Sequence, residues 1–552
     1  MSHGRGHELA ELMSASLPGP LGGLLQPGAY PHSVDAVELV TTHISWVLLA
    51  GEYVYKIKRP VRYPFVDLTS LERRRFLCEE ELRLNRRFAP DLYIEVCKIV
   101  TANGAPRFAS GAVSAIVSGS KDEAIVDYAV RMRRFPQSEQ LDRLLDARRI
   151  EPHELETFGR RLAQTHARLP AAPATSAWGD PQELRNQLLR NLFECADAAA
   201  VFGWSREILA LHDTLQGRLA AAASAMAARR TNGKVRECHG DLHCRNIARL
   251  GGWLVPFDCL EYEPALRWID TADEIAFLLS DLKARGWPLH AHAFRGGYLT
   301  ESGDYHACRV LALYEAHRAL VRAKIAALSA AQHAEAGARD ALRGEHLRLV
   351  SFAAEALAPK TPRLILMSGL SGSGKTWLAR QLAERLSAVH IRSDVERKRR
   401  AGLRELAPSH SRLAEDLYSA EASATLYGEL ARAAEDVLSG GLTVVVDATF
   451  LERAQRARFA ELAARLRAPI RLILCEAPEP ILRARIAERS RTKRDPSEAD
   501  LRVLEWQLGR MEVPTADEGI DVIPIDTARS DALEWALRDI GSVPTPTAAQ
   551  SA

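Results

Sequence analysis

A chain of 552 residues is too long for a single hydrophobic core and implies two or three domains. Hydrophobic residues make up 47% and charged residues 26%, and Lys+Arg 73 against Asp+Glu 71 leaves +2, so no global field argues for nucleic acid or membrane. The eight cysteines are scattered with no CxxC pair, which argues against a disulfide framework or a zinc site.

The N-terminus lacks the unbroken apolar run of a secretory signal, and no stretch approaches the ~18 apolar residues of a membrane helix. A cytoplasmic chain without membrane contact is expected. Residues 1–35 carry one short amphipathic pattern and Gly/Pro punctuation, and read as a docking arm. His43–Leu49 and Tyr53–Lys58, joined at Ala50–Gly51–Glu52, predict a β-hairpin. Lys56 and Lys58 lie two apart and project to one face. One of them, Lys56 by preference, can reach a nucleotide's phosphates; two solvated lysines on an edge strand are the alternative. The helical pattern Leu71–Phe88 carries Glu79, Glu80 and Glu81, and Glu81 is the expected partner of the strand lysine because Leu77, Leu84 and Phe88 set an apolar face beside it. Strands resume at Tyr93–Val100, Ala112–Val117 and Ile125–Met132, and in a two-lobed kinase Arg133–Pro136 would fall at the linker between lobes that receives adenine.

From Pro152 to about Asn232, apolar residues recur at threes and fours, which predicts helices. His239–Gly240–Asp241–Leu242–His243–Cys244–Arg245–Asn246 follows. Asp241 and Asn246 have the spacing of a phosphoryl-transfer loop, in which the aspartate takes or orients the acceptor hydroxyl's proton and the amide oxygen holds Mg²⁺. Ile247–Leu250, Gly251–Gly252 and Trp253–Phe257 predict a tight hairpin that returns Asp258 to the loop as a second metal carboxylate. His239 is expected to orient the loop. The alternative is a capped loop of ordinary polar residues.

With THISWVLLAGEYVYKIKRP, CEEELRLNRRFAPDLY, VDYAVRMRRFP, HGDLHCRN and WIDTADEIAFLLSDL in place, residues 36–355 resemble the aminoglycoside-phosphotransferase-like kinases, and closely the subgroup fused to a P-loop kinase domain. The resemblance implies an α+β bilobal kinase-like domain over 36–357, with a small lobe at about 36–135 and a helical lobe at about 136–357. It places the family's catalytic aspartate, metal asparagine and metal aspartate on Asp241, Asn246 and Asp258. The chain departs from protein kinases in having no GxGxxG; Gly51 alone sits in the corresponding turn. Glu261, Glu263, Asp270, Asp273, Glu274 and Asp281 make an acidic rim suited to a polycation, or else partners for Arg318, Arg322 and Lys324.

After a linker at Ala358–Pro362, Arg363–Ser368 predicts a buried strand, then Gly369, Gly372, Ser373, Gly374, Lys375 and Thr376 in GLSGSGKT, then a helix. Backbone N–H groups there cradle phosphates, Lys375 reaches the terminal ones and Thr376 offers a hydroxyl to Mg²⁺. Asp394 is a candidate base and Arg397 a candidate substrate contact, with an N-cap role for Ser393 or Asp394 as the alternative. The Arg397–Arg400 run is either a polyanion contact or a solvated face. Asp447 ends an apolar strand and suits a carboxylate on metal-bound water; Arg485, Arg489, Arg491, Lys493 and Arg494 suit a lid over nucleotide phosphates. The motif order is similar to P-loop kinases grouped with zeta toxins, gluconate kinases and polynucleotide kinases. It implies an α/β domain with a parallel sheet at 363–541, followed by a disordered tail at 542–552.

The expected function is a bifunctional phosphotransferase using ATP and Mg²⁺, with a hydroxyl-bearing small molecule as acceptor of the first domain. Two alternatives stay open: a regulatory nucleotide switch whose kinase-like domain does not turn over, and a nucleic-acid end-processing kinase, for which no broad basic surface speaks.

Overall fold

The computed structural model describes residues 17–63, 66–102, 104–109, 124–332, 335–405, 407, 420–492 and 499–541. The predicted strand Ala112–Val117, the first part of the arm, Lys493, Arg494 and the 542–552 tail lie outside the described residues. The chain forms two compact units: residues 1–154, 168–178 and 235–274, and residues 155–167, 179–234 and 275–552.

The first unit is built on an antiparallel sheet. Its strands are β1 (Val37–Thr41), β2 (Ser45–Ala50), β3 (Tyr53–Lys58), β6 (Tyr93–Ala102), β7 (Ala105–Phe108) and β8 (Ala124–Arg133), in the order β1-β2-β3-β8-β6-β7. The short pair β4 (Arg62–Tyr63) and β5 (Val66–Asp67) stands apart. β3 lies between β2 and β8, with Lys56 opposite Val47 and Val130, so its lysines belong to an interior strand. Alternation then sorts the side chains. Tyr55 and Ile57 face a cluster with Leu48, Phe108 and the arm residues Leu21, Leu24 and Tyr30, which sit on short 3-10 turns at Gly19–Leu25 and Pro27–Ala29. Val54 and the two lysines face the other way, toward the Leu71–Asn85 helix. That helix starts where Ser70 accepts the Arg73 N–H and ends three residues before Phe88.

Next come β9 (Val235–Glu237), the HGDLHCRN loop, and the hairpin of β10 (Ile247–Leu250) with β11 (Trp253–Pro256). Its turn, Gly251–Gly252, has φ of +56° and +83°, which side chains with a Cβ adopt only with strain. β12 (Trp268–Asp270) pairs with β9 and closes the base of the loop.

The second unit combines helices, among them Pro181–Ala198, His212–Thr231, Pro288–Ser302, Cys308–Gln332 and Ala336–Leu357, with a five-stranded parallel sheet. The strands are β13 (Leu364–Ser368), β14 (Val389–Arg392), β15 (Val444–Asp447), β16 (Ile470–Glu476) and β17 (Asp521–Asp526), in the order β14-β15-β13-β16-β17. β13 and β15 are buried at every position, as strands covered on both faces must be. Side chains tie the helices to the sheet region. Arg399 donates to the carbonyls of Thr300 and Glu301, Tyr305 donates to Glu396 at 2.9 Å, and Arg295 donates to the Ser387 carbonyl at 2.7 Å. Gly440 lies so close to Cys308 that a Cβ would stand 2.1 Å from its carbonyl oxygen. Among the described residues, no helix is long and apolar enough to cross a membrane.

Candidate active sites

In the first unit, β3, the Leu71–Asn85 helix and the loop region meet through ion pairs. Lys56 Nζ donates to Glu81 Oε1 at 2.9 Å and to Asp258 Oδ1 at 2.5 Å. Lys58 Nζ donates to Glu81 Oε2 at 2.5 Å and to Glu261. The structure therefore brings Lys56, Glu81 and Asp258 together, with Lys58 wholly buried behind them. Burial pulls the Lys56 ammonium down, but Asp258 and Glu81 hold it well above its ordinary value, so it stays charged. Burial likewise pushes the Asp258 carboxyl up, and Lys56 outweighs this and holds it below the usual range.

Asn246 donates from Nδ2 to the Asp241 carbonyl at 3.0 Å and to Asp241 Oδ2 at 2.9 Å. The amide nitrogen is thus committed to Asp241, and the amide oxygen is turned away from it. That oxygen and the Asp258 carboxylate, whose side chain is 45% exposed, are the hard oxygen donors Mg²⁺ takes. Asp258 itself has φ +66°, a strained backbone that an aspartate tolerates better than most residues.

The loop is held from beneath. Glu274 accepts the N–H groups of His239 at 2.7 Å and Gly240 at 3.0 Å. His239 Nε2 meets the Phe257 carbonyl at 2.9 Å, and its Nδ1 accepts the Asp241 N–H at 3.3 Å, which together require one neutral tautomer. Burial pushes the His239 imidazole down to about 4. Gly240 has φ +88°, and a Cβ there would meet the Leu266 carbonyl at 2.8 Å.

In the second unit, Gly369 follows β13 with φ +136°, where a Cβ would lie 2.4 Å from the Cys475 carbonyl, so only glycine lets the loop turn there. Gly372, Ser373 and Gly374 complete the loop, and Lys375 and Thr376 open the Lys375–Arg385 helix. Lys375 Nζ donates to the Leu370 carbonyl at 3.3 Å. Asp447 ends β15, beside Met367 of β13, and His390 meets its Oδ2 at 3.3 Å. Burial pushes the Asp447 carboxyl up, and the His390 hydrogen bond and Lys375 charge hold it below its ordinary value. Arg397 pairs with Asp394 at 2.8 Å, one turn apart on the Ser393–Arg400 helix. A cavity of about 210 Å³ brings together Lys375, Asp394, Arg397 and Asp447. Arg489 donates to the Ala499 carbonyl at 2.6 Å and does not line this cavity.

Neither Ser393 nor Asp394 caps its helix; Arg392 occupies the N-cap without a side-chain bond. The Arg397–Arg400 run is engaged internally, Arg397 by Asp394, Lys398 by the Glu405 carbonyl, Arg399 by Glu396 and Arg400 by Glu429. Glu261 is buried on Lys58 and Glu274 on the loop backbone, so neither belongs to an acidic rim. Asn85 and Tyr93 lie inside the CEEELRLNRRFAPDLY stretch without a role read for either, and Gln507 has no motif around it. Asn85 Oδ1 accepts the Cys259 N–H at 3.0 Å, the Tyr93 hydroxyl accepts the Asp258 N–H at 3.0 Å, and Gln507 Oε1 accepts the Ser371 N–H of the P-loop at 2.8 Å. Within that stretch, the i, i+4 placement of Asn85 after Glu81 puts the two on one helix face.

An uncharacterized protein of Mycobacterium bovis and two of Mycobacterium tuberculosis strains are each 28% identical to this chain over 454 residues, covering 82% of it and 86% of their own length. Among solved structures, a sugar kinase from Janibacter sp. HTCC2649 is 19% identical, covering 33% of this chain and 96% of its own, with a TM-score of 0.25. Ethanolamine kinase of Plasmodium vivax is 12% identical, covering 58% of this chain and 82% of its own, with a TM-score of 0.32. Residues 364–514, which contain the P-loop, Asp394 and Asp447, match the AAA domain family model.

Proposed function

We propose that this chain is a bifunctional ATP- and Mg²⁺-dependent phosphotransferase with two separate active sites, one in a kinase-like domain at 36–357 and one in a P-loop domain at 363–541. The observation that supports the first site most is the convergence of Lys56, Glu81 and Asp258 beside the Asp241–Asn246 pair. Lys56, steadied by Glu81, binds the nucleotide's phosphates. Asn246 and Asp258 are the residues that would hold Mg²⁺, which would offset the charge of the phosphates. Asp241 orients a hydroxyl of the acceptor and takes its proton as the hydroxyl oxygen bonds to the γ-phosphorus. The bond from that phosphorus to the bridging oxygen breaks, and ADP leaves.

At the second site, the P-loop backbone and Lys375 bind phosphates, Thr376 and Asp447 would hold Mg²⁺ with its water, and Asp394 serves as base. The same cavity is lined by Arg397, Arg458, Arg510 and Trp506, with the Arg510 guanidinium 4.9 Å from the Trp506 ring centre. That lining suits an acceptor carrying an anionic group beside its hydroxyl.

The test is phosphate transfer from labelled ATP to small-molecule and oligonucleotide acceptors in full-length chains bearing Asp241→Asn or Lys375→Met. Each substitution is expected to silence one set of acceptors and spare the other. Loss of both sets from either single variant, in folded protein, refutes two separate sites; transfer surviving in the double variant refutes both assignments.

A further inference from the structure

Glu261, Lys58, Glu81, Lys56 and Asp258 form an unbroken ladder of alternating charge in that order. The inner three side chains are buried, at 4%, 0% and 0% exposure, and the ladder opens at its far end, with 14% for Lys56 and 45% for Asp258. The partners that can exchange stand at the open end. The proposed reaction, on which this inference rests, requires Lys56 to turn from carboxylates to phosphates. An ammonium gripped by two carboxylates gives them up at a large electrostatic cost. Glu81, however, divides its grip, giving Oε1 to Lys56 and Oε2 to Lys58.

Glu261 acts one rung further back. Lys58 is shared between Glu81 and Glu261, so the charge on Glu261 draws Lys58 away from Glu81. The segment carrying Glu261 does not depend on that pair alone. The Asp258 N–H is held by Tyr93, the Cys259 N–H by Asn85 and the Leu260 N–H by the His239 carbonyl at 3.0 Å.

We propose that Lys58 and Glu261 are positioning residues that set how firmly Glu81 grips Lys56, and through it how strongly the first site binds nucleotide phosphates. The two act with opposite sign. Without Lys58, the whole charge of Glu81 falls on Lys56 and withholds it. Without the charge of Glu261, Lys58 leans on Glu81 and releases Lys56.

The experiment is equilibrium binding of a fluorescent ATP analogue in EDTA, in a Lys375→Met background that silences the P-loop. Lys58→Met is expected to weaken binding about tenfold and Glu261→Gln to strengthen it about threefold, both through the charge on Glu81. A role limited to packing predicts weaker binding in both, and that result, or no change in either, overturns the proposal. Should Lys58→Met not fold, Glu261→Gln decides by its sign alone, and Lys58→Arg, which keeps the charge, is expected to bind as the parent does. Lys56→Met in the same background is the control. If it leaves binding intact, the first site does not bind nucleotide through Lys56, and the functional reading itself fails; if it weakens binding while both other variants also weaken it, only the present proposal fails.

Discussion

The buried imidazole of His239 ties the integrity of the HGDLHCRN loop to pH. Its folded pKa lies at about 4 against an ordinary 6.5, with burial as the first cause. The unfolded chain takes up this proton as pH falls through 6.5, and the folded chain does so only near 4. The contribution to stability is therefore complete above 6.5, is lost between 6.5 and 4, and is level below that. At 1.36 kcal/mol per unit, the loss amounts to about 3 kcal/mol over the full window and about 2 kcal/mol between pH 7 and pH 5. His239→Gln keeps a donor for the Phe257 carbonyl and an acceptor for the Asp241 N–H without a titrating group. Urea denaturation at pH 7 and pH 5 should show the parent losing about 2 kcal/mol more than His239→Gln. Equal losses, or a His239 resonance that titrates near 6.5 in NMR spectra, would refute the reasoning.

Other substitutions test the scaffold. Gly240→Ala forces a Cβ against the Leu266 carbonyl at positive φ and should cost about 2 kcal/mol or more, read as a fall in the urea midpoint, with loss of Asp241-dependent transfer. Asn85→Leu strands the buried Cys259 N–H and should cost about 1–3 kcal/mol; an unchanged midpoint would show that this bond contributes nothing. Arg456→Met leaves the buried Glu518 carboxylate without its guanidinium partner and should cost about 3–5 kcal/mol, far more than exposed Arg465→Met, whose pair with Glu435 lies at the surface.

Local chemistry made parts of this architecture legible in sequence. Gly251–Gly252 announced its hairpin because only glycine takes two positive φ angles cheaply, and the P-loop announced itself because β13 runs Leu–Ile–Leu–Met before a glycine-rich turn. The interior position of β3 was not legible, because it depends on β8, some seventy residues away, pairing beside it. β1 escaped notice because its residues alternate only between half-buried and exposed, which leaves little hydrophobic signal. Lys58 and Glu261 resemble any surface lysine and glutamate until the fold brings residues about two hundred positions apart into one ladder. The same holds for Gln507, whose amide reaches the P-loop from a helix that carries no phosphate-binding signature.

The anchoring of the Ser393–Arg400 helix bears on how the two activities are to be told apart. Asp394 and Arg397 share that helix with Glu396 and Arg399, and the latter two are gripped by Tyr305, Thr300 and Glu301, residues that precede the linker at 358–362. Gly440, on the far side of the linker, presses against Cys308 on the near side. Scissors applied at the linker strip Arg399 of both its carbonyl acceptors and uncover the backbone at Gly440, so an excised P-loop fragment carries a raw polar face where the parent has a fitted one. Genetic dissection of this chain has to proceed by single side chains.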